Sequence, residues 1–372
     1  MAYLQEAGVK ALRRLRGAGA ALQWDASVKS LLAAVGAASL GYWVARGGWA
    51  LLRGSVSYFL AGPLRLGINL AKLTRDDHGA TGSGSGTGWA VVSGGNEGLG
   101  LAFAKELARR GVNVIVVGRN AEKLDMVARE IEAAFHVKAD MLVMDFSRAG
   151  VEDYQRMRQR LARIRVDILV NALGMVDGVS GAFGSASNME QTCLDMLHVN
   201  LMSMFMLTNA VLPGMKERRA GVIVNLSSLA AVYPLPHYAL YGAIKACVDF
   251  FSLALHSECR HHGITVQSVL AGPVLTKLTR NFAKSFFIVP AAPFARDTLS
   301  QVGLRSRTFG HWIHALLVRT FDVSSYLRSQ RLFRHFLQVS LAQPIPLRLT
   351  LRFLRPRARP TTSGAGSAAG SL

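Results

Sequence analysis

Acidic residues are scarce in this 372-residue chain: 23 Asp and Glu stand against 43 Lys and Arg, a formal net charge of +20. Cysteine is scarcer, with three in the whole chain, and a disulfide scaffold is excluded. Charged residues make up only 18% and apolar ones 50%, which excludes long-range disorder and allows a sizeable core. The length fits two domains, or one large α/β domain carrying attachments. Residues 1–88 hold 10 basic and 4 acidic side chains, residues 89–280 hold 20 and 17, and residues 281–372 hold 13 and 2. The excess therefore sits at the two ends, +6 and +11, around a middle of +3. Nucleic acid and anionic membranes both attract such an excess. A near-neutral middle argues against nucleic acid.

What the amino-terminal end does contain is apolar sequence. An uncharged run, SLLAAVGAASLGYWVA, lies between Lys29 and Arg46, and a second, GSVSYFLAGPL, between Arg53 and Arg65. A spanning helix needs about 20 mostly apolar residues, so the first run alone is short. Extended through GGWALL it takes in Arg46, which can snorkel to the interface, with Trp43 and Trp49 in an interfacial belt. The alternatives are a hairpin dipping into one leaflet, helices lying flat, or a buried helix of an unusual subdomain. Membrane attachment is the expectation, because no polar face accompanies the run. A cleaved secretory signal is disfavoured, since 28 residues precede the first run. Lys10, Arg13, Arg14 and Arg16 also fit a mitochondrial presequence, which stays open as an address. TGSGSGTG at 81–88 reads as a flexible linker and lacks the Gly-Lys-Ser/Thr ending of a phosphate loop.

From Trp89 the pattern alternates. WAVVS (89–93), VNVIVV (112–117), KADMLVMD (138–145), VDILVN (166–171), GVIVNLSS (221–228) and ITVQSVL (264–270) read as strands. LAFAKELARR (101–110) and AEKLDMVAREIEAAF (121–135) read as helices between them. Nearly continuous apolar strands joined by helices predict an α/β fold with a doubly wound parallel sheet, helices on both faces, and a ligand at the strand carboxyl ends. The first strand-to-helix turn, SGGNEGLG, spaces Gly94, Gly98 and Gly100 as G-x-x-x-G-x-G, which lets backbone N–H groups approach a pyrophosphate. Gly118 and Arg119 stand where an acid for the ribose 2′-hydroxyl is usual, so Arg119 pairs with a 2′-phosphate and NADP(H) is expected over NAD(H). Its bland reading is a solvent-facing arginine near a helix start. Asp145 is either a partner for the adenine amino group or a helix cap.

Asn200, Ser228, Tyr241 and Lys245 form the reacting constellation. Tyr241 and Lys245, at i and i+4 of a helical stretch from about 238 to 261, share one face. Ser228 ends the preceding strand. NALG (171–174), HVN (198–200), NLSS (225–228) and YGAIK (241–245), in order after the glycine turn, resemble the short-chain dehydrogenase/reductase superfamily. The resemblance implies a Rossmann-type fold and hydride transfer between NADP(H) and a carbonyl. In that reading Tyr241 donates the proton, Lys245 lowers its pKa and holds the nicotinamide ribose, Ser228 polarises the carbonyl, and Asn200 holds a water. It further implies cofactor contacts at Ser93, Gly94, Asn96, Gly98, Leu99, Gly100, Arg119, Asp145, Asn171, Pro273 and Thr276, and a homodimer through the helices carrying Asn200 and Tyr241. Ser93 replaces the family's usual Thr, Ala172 the second Asn of the strand-end motif, and Ala271 a frequent Pro. Gly242 and Ile244 also depart from the usual residues around the tyrosine.

Val302, Gly303, Arg307, Thr308, Gly310, His314 and Ala315 match segments of the membrane-bound 17-beta-hydroxysteroid dehydrogenase and very-long-chain 3-oxoacyl-CoA reductase branch, which includes hydroxysteroid dehydrogenase-like proteins. That resemblance implies a lipidic substrate, steroid or acyl-CoA, and the endoplasmic reticulum. The rival expectation is a catalytically silent NADP-binding membrane scaffold, motivated by the departures and opposed by the complete tetrad. The expected organisation is an anchoring region at 1–80, the linker at 81–88, the catalytic domain at 89–318, a basic amphipathic extension at 319–360 and a disordered tail at 361–372. Eight arginines interleave with apolar residues between Tyr326 and Arg359, which fits lipid headgroups better than nucleic acid. His311 and His314 lack further ligands at metal spacing, so no metal is expected.

Overall fold

A computed structural model describes residues 26–61, 63–64, 66–75, 88–176, 183–184, 188–276 and 286–320. The basic residues before 26, the linker up to 87, and the expected extension and tail beyond 320 lie outside them. The chain divides into two compact units, Met1–Leu60 and Ala61–Leu372. In the first, helix α1 (Ala26–Ser55) runs for 30 residues without an acid, followed by a π-helical turn at Val56–Leu60. Residues 34–39 are all exposed, more than a full helical turn.

The second unit starts earlier than the composition shift at 80 implied. A short helix, α2 (Leu70–Leu73), is capped by Asn69, whose Oδ1 accepts the Lys72 N–H at 3.0 Å, and Leu70 is buried in the core. There follow β1 (Trp89–Ser93), α3 (Gly98–Arg109), β2 (Asn113–Gly118), α4 (Ala121–Phe135), β3 (Ala139–Val143), α5 (Val151–Ala162) and β4 (Val166–Asn171). Helix α6 (Met189–Leu197) passes through a π-helical turn at His198–Met202 into α7 (Ser203–Arg218), then come β5 (Gly221–Ser228), α8 (Ala239–Cys259) and β6 (Ile264–Ala271). The remainder is a small pair, β7 (Val274–Leu275) and β8 (Val289–Pro290), helix α9 (Ala291–Ser300), strand β9 (Arg307–Thr308) and helix α10 (Trp312–Thr320).

The seven-stranded sheet is parallel, in the order β3-β2-β1-β4-β5-β6-β9. The strand order reverses beside β1, which opens a crevice at the carboxyl ends of β1 and β4. Successive side chains of a strand point to opposite faces. Ala90, Val92, Val114 and Val116 accordingly join one core with Phe103 and Leu107 of α3, Leu124 and Ile131 of α4, and Phe294 of α9. Val91, Ile115 and Val117 join another with Leu161 of α5, Leu207 and Met215 of α7, and Leu255 of α8. Both faces are covered, as continuous apolar strands require. Strands β1, β4 and β5 coincide with the runs read from sequence; the edge strand β9 and both π turns do not appear there. Two helical stretches, Met189–Arg218 and Ala239–His262, are long and apolar enough to cross a membrane by length and composition. Both pack on the sheet, one against β4 and β5 and the other against β5 and β6.

Candidate active site and cofactor cleft

The glycine turn occupies the switch point. Gly94 and Gly98 have φ of +68° and +59°, the left-handed region that glycine enters freely. A Cβ on Gly100 would stand 2.1 Å from the carbonyl oxygen of Gly94, so the first turn of α3 closes only on glycine. Glu97, at the N-cap of α3, makes no side-chain cap bond. The helix thus presents backbone N–H groups beside side-chain-free backbone, a cradle that fits a pyrophosphate. Asn96 reaches over the turn, with its Oδ1 3.6 Å from where a Cβ on Gly118 would lie. Leu99 is half-buried beside it.

Ser93 does not face outward. Its Oγ, almost fully buried, accepts the N–H groups of Ala172 and Leu173, each at 3.1 Å. It therefore ties the end of β1 to the end of β4. Asn171 is likewise turned inward: its Nδ2 donates to Asn225 Oδ1 at 2.8 Å and to Thr208 Oγ1 at 3.3 Å. Asn225 continues the chain to Ser252 at 2.9 Å. This buried polar line ties β4, β5, α7 and α8 together behind the cleft.

Arg119 is exposed just after β2 and borders a cavity of about 540 Å³ shared with Asp145, Arg148, Arg156 and Arg160. Asp145 Oδ1 accepts both the N–H of Ser147 at 3.0 Å and its hydroxyl at 2.7 Å. These bonds, with Arg119 and Arg148 nearby, hold its carboxyl below the usual range. It caps a tight turn, while Gly150 stands at the N-cap of the following helix α5.

The four residues of the expected tetrad come together from three elements. Tyr241 and Lys245 lie on α8, Ser228 at the end of β5, and Asn200 in the π turn between α6 and α7. The Tyr241 hydroxyl stands beside Ser228, whose Oγ accepts the Ala230 N–H at 3.2 Å. Lys245 Nζ stands 5.7 Å from the Tyr241 ring centroid and donates to the Leu226 carbonyl at 2.9 Å. Burial pushes the tyrosine upward, and Ser228 pulls the other way. Lys245 is 6% exposed, and burial pushes its ammonium down to about 8.

Asn200 is nearly buried in a π turn, a feature common at functional sites. Its Nδ2 donates to the carbonyls of Met196 at 3.0 Å and Met175 at 3.1 Å, and its Oδ1 accepts the Met175 N–H at 3.3 Å. Both amide protons are thus spent on backbone, which leaves one Oδ1 lone pair for a water. Gly174, unremarked within the NALG motif, separates Asn200 from Lys245. A Cβ there would stand 3.1 Å from Asn200 Oδ1 and 3.5 Å from Lys245 Nζ. Across the cleft, the Thr276 methyl lies 3.6 Å from where a Cβ on Gly98 would be, so the loop through Pro273 closes over the glycine turn. Substrate contacts are expected from the variable residues around 175–190 and 277–310, of which 177–182, 185–187 and 277–285 fall outside the described residues. Among the described residues, no group of three or more His, Cys, Asp or Glu could hold a metal ion.

Known proteins resemble this chain. The short chain dehydrogenase family profile matches residues 88–285. Very-long-chain 3-oxoacyl-CoA reductase of Anas platyrhynchos is 40% identical over 291 residues, covering 77% of this chain and 90% of that protein. Hydroxysteroid dehydrogenase-like protein 1 of Gallus gallus is 40% identical over 232 residues, 61% of this chain and 69% of that one. Among solved structures, a short-chain dehydrogenase from Sphingobium yanoikuyae in complex with NADPH has a TM-score of 0.54 at 24% identity, covering 70% of this chain and 99% of that one. The chain belongs to the short chain dehydrogenase family, whose members are NAD(P)-dependent oxidoreductases acting on CH–OH and C=O groups.

Proposed function

We propose that the protein is an NADPH-dependent reductase of a lipidic 3-oxoacyl-CoA. The observation that carries the reaction class is the contiguous set Ser228–Tyr241–Lys245–Gly174–Asn200 beside an uncapped glycine turn. The substrate class rests on a 3-oxoacyl-CoA reductase matched over nine-tenths of its length. Bound NADPH supplies the hydride. Ser228 donates a hydrogen bond to the carbonyl oxygen of the substrate, and Tyr241 gives its phenolic proton to that oxygen as negative charge develops there. Lys245 holds the cofactor ribose and, as a cation, favours the phenolate left behind. A water on the free lone pair of Asn200 returns the proton. Arg119, backed by Arg148, takes the 2′-phosphate, so NADPH should bind at least tenfold more tightly than NADH; equal binding refutes that preference.

The hydroxysteroid dehydrogenase-like relative supports a second reading, a 17-ketosteroid as substrate. Assay of the purified full-length protein with NADPH and both substrate classes separates the two by kcat/KM. Tight NADPH binding without turnover of either would mark a silent scaffold, a reading that the intact tetrad opposes.

The all-round exposure of residues 34–39, in a helix of about 45 Å, supports anchoring of the first unit in a bilayer. Such anchoring places the enzyme where an apolar substrate partitions, in the endoplasmic reticulum; import into mitochondria would overturn that address. Phe250, 78% exposed on α8, with exposed Leu194 and Leu197 on α6, supports a homodimer through this face.

A further inference from the structure

His314 lies on α10, far from the tetrad in sequence, and is completely buried. Its two ring nitrogens meet consecutive backbone groups of the loop after β6. The Gly272 N–H donates to Nδ1 at 3.1 Å, and Nε2 lies 3.1 Å from the Pro273 carbonyl. Because Nδ1 accepts, the proton resides on Nε2, which donates to Pro273. Burial pushes the ring down to about 4, so this neutral tautomer persists throughout the working range.

The fit is built from both sides. A Cβ on Gly272 would stand 2.7 Å from His314 Cδ2, so the glycine forms the notch that the imidazole fills. Phe294 packs on the ring, with centroids 5.4 Å apart. The start of α10 is pinned in turn: Thr308 Oγ1 donates to Gln301 Oε1 at 2.6 Å, and Gln301 Nε2 donates to the Gly310 carbonyl at 2.9 Å. Downstream of the clamp, β7 pairs with β8, and the loop ends with Thr276 over Gly98.

We infer that His314 is a positioning residue for the cofactor: by accepting the Gly272 N–H it sets the Gly272–Thr276 loop at the distance from the glycine turn that NADPH requires, while the Pro273 bond holds the tautomer that can accept. The loop is thereby preformed, and its ordering cost is met on folding rather than on binding. This rests on the nucleotide site proposed above.

The test compares half-replacements in the full-length protein in detergent, with NADPH as probe and its fluorescence as readout. In His314→Asn the Oδ1 reaches the place of Nδ1 and still accepts from Gly272, whereas in His314→Gln that acceptor is lost. NADPH dissociation should weaken about fivefold or more in His314→Gln and stay within about twofold of wild type in His314→Asn. Gly272→Ala, which fills the notch without altering the histidine, should reproduce the loss even if His314→Gln fails to fold. Met215→Ala, in the core on the other face of the sheet, should lower Tm at unchanged NADPH affinity, which a merely structural role for His314 would not separate. Equal binding by the Asn and Gln variants, or affinity losses that simply follow Tm through Met215→Ala, would overturn the inference. Wild-type protein that binds no NADPH would instead remove the nucleotide site itself, and this inference with it.

Discussion

At the scale of single residues the cleft combines groups in tension. Lys245 is an ammonium with a folded pKa of about 8 against an ordinary 10.5. Between those values the unfolded chain binds the extra proton, so stability rises with pH through that window, and the burial cost stands in full below about 8. Lys245→Met should therefore raise the Tm of the cofactor-free protein at pH 7, with the gap to wild type narrowing from pH 8 to 10.5. The same variant should abolish carbonyl reduction; a lower Tm at pH 7 would contradict the burial argument. Tyr241→Phe keeps the ring and removes the proton, so turnover should fall by about 10³-fold or more while NADPH binding persists. Gly174→Ala forces a methyl against Asn200 Oδ1 and toward Lys245 Nζ, and kcat should fall at least about tenfold with little change in Tm. Tyr241 and Lys245 were legible from their i, i+4 spacing. The inward turn of Ser93 and Asn171 was not, because a motif names a residue type and not the direction of its side chain.

At the scale of elements, α8 is the part on which chemistry and packing meet. It carries Tyr241 and Lys245 on its site face and Asp249 one turn further along. Asp249 accepts the Ser268 hydroxyl at 2.6 Å and pairs with Arg307 of β9 at 2.8 Å. Arg307→Leu strands a largely buried carboxylate and should cost about 1–3 kcal/mol, measurable by denaturant unfolding. It loosens the sheet edge from which α10 departs. Strands of five to eight apolar residues were readable because both faces are buried. The two-residue β9 was not, since so short a pairing depends on β6 being there to receive it.

At the scale of the molecule, the basic excess belongs to the ends, and residues 89–280 between them carry only +3. Deletion of residues 1–60, the first compact unit, should move the protein from the membrane to the soluble fraction while NADPH binding remains; unchanged membrane recovery would assign attachment to the carboxyl end. The sequence by itself determined the order of strands and helices, the glycine turn, the tetrad and the location of charge, because these follow from local periodicity and residue chemistry. Only the tertiary structure decided that residues 66–75 belong to the catalytic unit, that Gly174 parts Asn200 from Lys245, and that His314 grips Gly272 and Pro273. Those contacts join residues dozens of positions apart, and such neighbours are set by how the sheet and its helices pack, which no local pattern records.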